Sequence, residues 1–197
     1  PPEALNYSNG RVWAKAWPAD VRNEPGNHFT LGEPVSLDLG DEADVVLMRQ
    51  DPPFDLGYIT ATHLLERIRH KTLVVNDPVE VRNAPEKMFV LDYARYMPPT
   101  LITRSYDEAK AFLDQHGSIV VKPLHGNGGK AIFKIDEGGQ NLSSLIEVFN
   151  NAYREPHMVQ AFLPDIAKGD KRIVLVDGEV AGAINRLPGK GEIRSNL

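Results

Sequence analysis

The sequence predicts an α/β fold, in the broad sense that includes α+β arrangements, on three observations. "DVVLM" (Asp44–Met48) and "TLVVN" (Thr72–Asn76) are short β-branched apolar runs. Between them "YITATHLLERI" places Ile59, Leu64, Leu65 and Ile68 at helical spacing, so residues 44–76 read as a βαβ unit with buried parallel strands and a right-handed crossover. From Thr100 to Leu163 strand-like and helix-like segments alternate, and "KRIVLVDGEVAGAINR" reads as a hairpin turned at Asp177-Gly178.

Residues 1 to about 40 are broken by Pro and Gly and predict one strand, at "RVWAKAW". After the βαβ unit, "PVEVRNAPEKMFVLDYARY" offers Asn83 as an N-cap, Pro85 in the first turn and Glu86 near the positive end of the dipole, which predicts a helix starting near Ala84. Past Pro98-Pro99 come strand "TLIT", helix "YDEAKAFLDQH", the hairpin "SIVVKPLHGNGGKAIFKI", helix "LSSLIEVFNNAY" and strand "HMVQAFL". No internal repeat or low-complexity tract interrupts this order.

Composition bounds the function. The 197 residues are 42% hydrophobic and 25% charged, enough for one or two domains with a real core. Net charge is −5 and the basic residues are scattered, which argues against a nucleic-acid partner and for small substrates. The absence of cysteine leaves no disulfide framework or thiolate zinc site and agrees with a reducing cytoplasm. No apolar run approaches the ~20 residues of a membrane span, so no membrane partner is expected. The six histidines show no i, i+4 pair and no partner cysteine, so no zinc site is expected. Pro1-Pro2 and the polar run before Leu197 read as cut ends, so a fragment is expected.

In the glycine-rich hairpin, Lys122 ends an apolar strand and Gly126, Gly128 and Gly129 fill the loop before a second strand. A Walker loop needs GK followed by Ser or Thr and a helix; here Gly129-Lys130 leads to Ala131 and a strand. Two readings stay open from these residues: a flap whose N–H groups fold over a polyphosphate beside Lys122, or a hairpin that uses glycine only for its turn.

The ordered series Lys87 in "NAPEKMF", Lys122 in "VVKPLHGNGG", "MVQAFLP" and "GDKRIVLVDGE" resembles the ATP-grasp ligases. With "LMRQDPPFD" and "INRLPGKGEIRSNL", it resembles more narrowly the bacterial glutathione synthetase family, over nearly the whole chain from Asn27 onward. The resemblance implies a Rossmann-like pre-ATP-grasp domain over 1–83, lacking its first strand, and an incomplete ATP-grasp domain over 84–197. Within the latter, 98–157 would be a lid-bearing small lobe and 158–197 the start of the large lobe.

What the resemblance implies for chemistry is ATP-dependent ligation of glycine to γ-glutamylcysteine through an acyl phosphate. ATP and Mg²⁺, or Mn²⁺ in its place, would be the cofactors, with the metal ligands outside this chain. Lys87, Lys122, Gly126, Asn127, Gly128 and Gly129 would meet the phosphates, and Gln160, Ala161, Phe162 and Leu163 would offer backbone groups to adenine. Asp170 and Lys171 would complete the nucleotide site. Arg186 and Arg194 would act in catalysis, because arginine forks suit carboxylates and the transferring phosphoryl group. Arg49, Asp51, Arg172, Arg186, Arg194 and Asn196 would contact substrate. The implied assembly is a homo-oligomer, dimer or tetramer, and the chain by itself is expected to be inactive. Two other readings compete: a different ATP-grasp carboxylate–amine ligase, and a non-catalytic nucleotide-binding scaffold.

Overall fold

A computed structural model describes residues 2–194, and the chain divides into two units, Pro1–Pro85 and Glu86–Leu197. The first opens with a 3-10 turn at Pro2–Ala4 and five short strands: β1 (Leu5–Ser8), β2 (Arg11–Ala16), β3 (Ala19–Val21), β4 (Phe29–Leu31) and β5 (Val35–Asp38). β2 pairs antiparallel with β1 and β5, while among the described residues β3 and β4 pair with each other alone. Only β2 is expected from the sequence. The other four are three or four residues long and mostly exposed, so their alternation carries little hydrophobic signal. One signal was present: Asn9-Gly10 joins β1 to β2, and both residues take the positive φ that a tight primed turn requires.

The βαβ unit forms as expected. β6 (Val45–Leu47) and β7 (Leu73–Val75) pair in parallel, and α1 (Leu56–Glu66) crosses between them. Asp55 starts α1 by accepting from the Tyr58 N–H at 2.9 Å. Leu65, Ile68, Met48 and Val74 pack with Val12 and Leu39 in one core. The strands are not buried on both faces, however: Leu47 and Leu73 are 63% and 61% exposed. Only Val46 and Val74 face the core, because among the described residues a helix layer covers one face of this two-stranded sheet.

A helix does begin near Ala84, at Glu86, but Asn83 is not its cap, because a further helix precedes it. Asp77 caps that preceding helix: its carboxylate accepts from the N–H groups of Val79 and Glu80, Pro78 takes the first helical position, and α2 runs Pro78–Asn83. Asn83 therefore ends a helix. The second unit begins with α3 (Glu86–Phe89), which passes into a 3-10 segment, Val90–Tyr96, bent at Tyr93.

Next come β8 (Thr100–Thr103), α4 (Tyr106–His116), β9 (Ile119–Pro123), β10 (Phe133–Ile135), α5 (Leu142–Ala152) and β11 (His157–Ala161). The sheet order is β10-β9-β11-β8, all antiparallel. Ser105 caps α4 through the Glu108 N–H, and Gly117 at φ 80° closes it by donating to Leu113. Ala109 and Leu113 of α4 meet Leu142, Ile146 and Phe149 of α5 over Ile119, Val121, Ile135 and Val159. Each of the larger side chains contributes roughly 1.5–3 kcal/mol by leaving water.

His157 is buried in this core, with Nε2 2.9 Å from Asn150 Oδ1 and its ring edge-on to Phe149. Burial, reinforced by the Arg104 charge, holds its pKa below the ordinary 6.5. The unfolded chain therefore binds the proton more readily, and stability is lost as pH falls from about 6.5 toward that lowered value. Denaturant midpoints measured from about pH 7.5 to about pH 5.5 should fall, and His157→Gln should flatten the slope. An unchanged slope in His157→Gln would refute this assignment.

A 3-10 turn, Pro164–Lys168, leads to β12 (Asp170–Val176) and β13 (Glu179–Arg186), an antiparallel hairpin turned at Asp177-Gly178 as expected. Its apolar residues stay in solvent: Ile173, Leu175 and Ile184 are more than half exposed.

Candidate functional site

Strand alternation sorts the residues of the second unit. On β9, Ile119 and Val121 point into the helix-covered core, so Val120 and Lys122 stand on the opposite face. The ladders place Lys122 in one cross-strand row with Met158 and Ile102, and Val120 in the next with Lys134, Gln160 and Thr100. Gln160 Nε2 donates to Thr100 Oγ1 at 2.8 Å, which fixes that side chain within its row. Lys122 thus lies near the mouth of the glycine loop, half-buried, on the sheet face opposite that core.

Lys87 meets the same loop from α3. Its ammonium donates to the carbonyls of Gly126 at 2.9 Å and Leu124 at 3.2 Å. Gly128 and Gly129 lie at φ 64° and 72°, a conformation that costs a residue with a Cβ roughly 1–2 kcal/mol. The two differ in surroundings. A Cβ on Gly128 would meet open space, whereas one on Gly129 would fall 3.3 Å from Arg194 Cδ. Arg194 lies against the loop, and its guanidinium pairs with Glu192 at 3.0 Å, which raises the Arg194 pKa further. Asn127 sits between the glycines and accepts from the Lys130 N–H.

The exit of β11 is more committed than the sequence suggests. The Ala161 N–H donates to Pro99 O at 3.0 Å and the Phe162 N–H to Ser118 O at 2.9 Å. Gln160 lies within ladders on both sides. Leu163 is 56% exposed, and among the described residues its N–H has no acceptor. Of the four residues expected to face a base, Leu163 keeps a free backbone donor.

The hairpin separates residues that are adjacent in sequence. Asp170 pairs with Arg186 across the ladder, and Arg172 with Ile184 shares their face; Lys171 and Asn185 lie on the other. The Asp170 carboxylate and the Arg186 guanidinium form an ion pair, each side chain about a third exposed or less. Gly169, at φ 100°, lets Asn185 and the Arg186 carbonyl approach where a Cβ would collide at under 3 Å. Asn196 lies outside the described residues.

In the first unit, Arg49 and Asp51 follow β6 and line a cleft of about 600 Å³ with Gln50, Pro52, Tyr58 and Leu65. The two charged side chains are exposed at its rim. No group of three His, Asp or Glu among the described residues is placed to hold a metal. None of the described helices is long and apolar enough to cross a membrane.

The sequence reading missed three participants. Glu192 holds Arg194, Asn185 packs on Gly169, and Lys134 shares a row with Gln160. The period-two pattern of "AIFKI" already carried the last of these.

Residues 1–82 match the family described as prokaryotic glutathione synthetase, N-terminal domain, and residues 86–197 its ATP-grasp domain. The chain is 55% identical to the glutathione synthetase of Mesorhizobium japonicum (strain LMG 29417 / CECT 9101 / MAFF 303099) over 196 residues, covering 100% of the chain and 62% of that relative. It spans about three fifths of the length of the curated relatives it matches. Among solved structures, a RimK domain protein ATP-grasp from Sphaerobacter thermophilus DSM 20745 aligns with TM-score 0.56 at 21% identity, over 73% of this chain and 55% of that one. D-alanyl-alanine synthetase A from Vibrio cholerae O1 biovar eltor aligns with TM-score 0.56 at 16% identity, over 90% and 54%. Both show the fold alone.

Proposed function

The chain belongs to the prokaryotic glutathione synthetase family, and from that premise we propose that the protein carrying it joins glycine to γ-glutamylcysteine at the expense of ATP. The observation that carries this reading is the glycine loop gripped by Lys87 beside Lys122. Two lysines converge on a loop whose glycines allow close backbone approach, an arrangement suited to a polyphosphate.

In the proposed reaction a cysteinyl carboxylate oxygen attacks the γ-phosphorus of ATP, ADP leaves, and an acyl phosphate forms. The glycine amine then attacks the acyl carbon, phosphate departs, and the amine gives up a proton. Lys87, Lys122, Gly126, Asn127, Gly128 and Gly129 hold the phosphates. Leu163 offers its N–H to adenine, with Gln160, Ala161 and Phe162 shaping the base subsite. Asp170 and Lys171 belong to the nucleotide side, and Asp170 acts through Arg186. Arg186 and Arg194 meet the transferring phosphoryl group or the carboxylate it joins; Arg172, Asn196, Arg49 and Asp51 serve substrate. Mg²⁺ neutralises phosphate charge when bound, but the described residues present no ligand set for it, and no step is assigned through it. Residues 98–157 form the lid-bearing lobe and 158–197 begin the second. The protein works in the cytoplasm as a homo-oligomer.

ADP release measured with each substrate omitted in turn tests the reaction. Turnover that ignores γ-glutamylcysteine and requires another carboxylate or amine would reassign it within the ATP-grasp ligases.

The loop yields a finer expectation. Gly128→Val strains the backbone in open space, whereas Gly129→Val also displaces Arg194. ATP affinity should fall about tenfold or more in Gly129→Val and less in Gly128→Val, with unfolding midpoints close to the parent. Lost stability with unaltered affinity would make the glycines turn residues only.

A further inference from the structure

We infer that Lys134 is a positioning residue for the nucleotide base, an inference that rests on the ATP site proposed above. Lys134 stands on β10, the strand by which the glycine hairpin returns, in the row Lys134–Val120–Gln160–Thr100. Its ammonium lies 4.4 Å from the centroid of the Phe162 ring. The Asp136 carboxylate holds the same ammonium at 2.6 Å. One charge therefore links the return strand of the lid, across β9, to the segment that leaves β11.

The place of that contact gives it leverage. Phe162 is tied by its N–H to Ser118, and the next residue, Leu163, carries the backbone donor that stays open among the described residues. A cation over a ring face is attracted by the ring quadrupole. Holding the Phe162 ring fixes the peptide that follows it and with it the direction of the Leu163 N–H. Asp136 gives the same ammonium a second contact, so the three side chains form one cluster. Lys134 touches neither phosphate nor reacting carboxylate in this assignment; it acts on the base through Phe162.

The test uses the protein that carries this chain. Lys134→Met keeps the apolar stem and removes the charge. KM for ATP should rise about fivefold, while kcat and KM for γ-glutamylcysteine stay within about twofold. Affinity for inorganic tripolyphosphate, which has no base, should not change. Lys134→Arg should restore KM for ATP, because a guanidinium also stacks on an aromatic face. Equal weakening toward ATP and tripolyphosphate would show a general structural loss and overturn the inference. So would an unaltered KM in Lys134→Met when the parent binds both ligands. A parent protein that binds neither would overturn the ATP site itself and this inference with it.

Discussion

Lys87→Met in the protein that carries this chain should lower kcat/KM for ATP about 10²–10³-fold, with an unfolding midpoint within a few degrees of the parent. In the structure the Lys87 ammonium donates to loop carbonyls of Gly126 at 2.9 Å and Leu124 at 3.2 Å. Those are contacts that a phosphate oxygen can replace, since a carbonyl offers a partial charge and a phosphate a full one. The lysine therefore holds the loop near the place where it is needed and exchanges partners on nucleotide arrival. Methionine keeps the stem and removes both roles. Gly126 is exposed, so water can satisfy its released carbonyl; the longer bond to Leu124, a buried residue, sets the modest loss of midpoint expected. Nucleotide titration and turnover separate the outcomes. A variant that loses stability but binds ATP normally would make Lys87 a structural clip.

The βαβ unit and the four-stranded sheet were legible because their signals are physical and local. "TLVVN" is β-branched, Ser105 precedes "YDEAKAFLDQH" as a cap, and Asp177-Gly178 sits between two apolar runs. What escaped depended on competition or on long range. Asp77 and Pro78 start a six-residue helix that ends at Asn83, so Asn83 closes one helix instead of capping the next, which begins at Glu86. The expected burial of "DVVLM" holds on one face only, because burial depends on layers that a strand's own residues do not encode. Within the site, Lys122 and the glycines were visible as a pattern, yet the grip of Lys87 on Gly126 spans 39 residues. The approach of Arg194 to Gly129 likewise joins segments that no window of sequence connects. The separation of Lys171 from Asp170 and Arg172 was legible, since alternation along a strand dictates it.

That separation gives the second large effect. Arg186→Ala should cut kcat about 10²–10³-fold, and Asp170→Asn about tenfold, if the carboxylate aims the guanidinium and the guanidinium meets the developing charge. Asp170 and Arg186 face each other across β12 and β13, and their ion pair is partly shielded from water. A pair in that position could equally serve only to pin the hairpin, whose remaining side chains are largely exposed. Exchanging the two residues distinguishes the roles. Asp170→Arg with Arg186→Asp rebuilds an ion pair in the same register but puts the guanidinium on the other strand. Stability should return toward the parent and turnover should not, because a fork displaced by one strand, roughly 4.8 Å, no longer meets the phosphoryl group or carboxylate it is meant to hold. Unfolding midpoints and kcat for the parent, both single variants and the exchange decide it. Recovery of turnover along with stability in the exchanged protein would reduce the pair to a cross-strand clamp and remove Arg186 from the reaction.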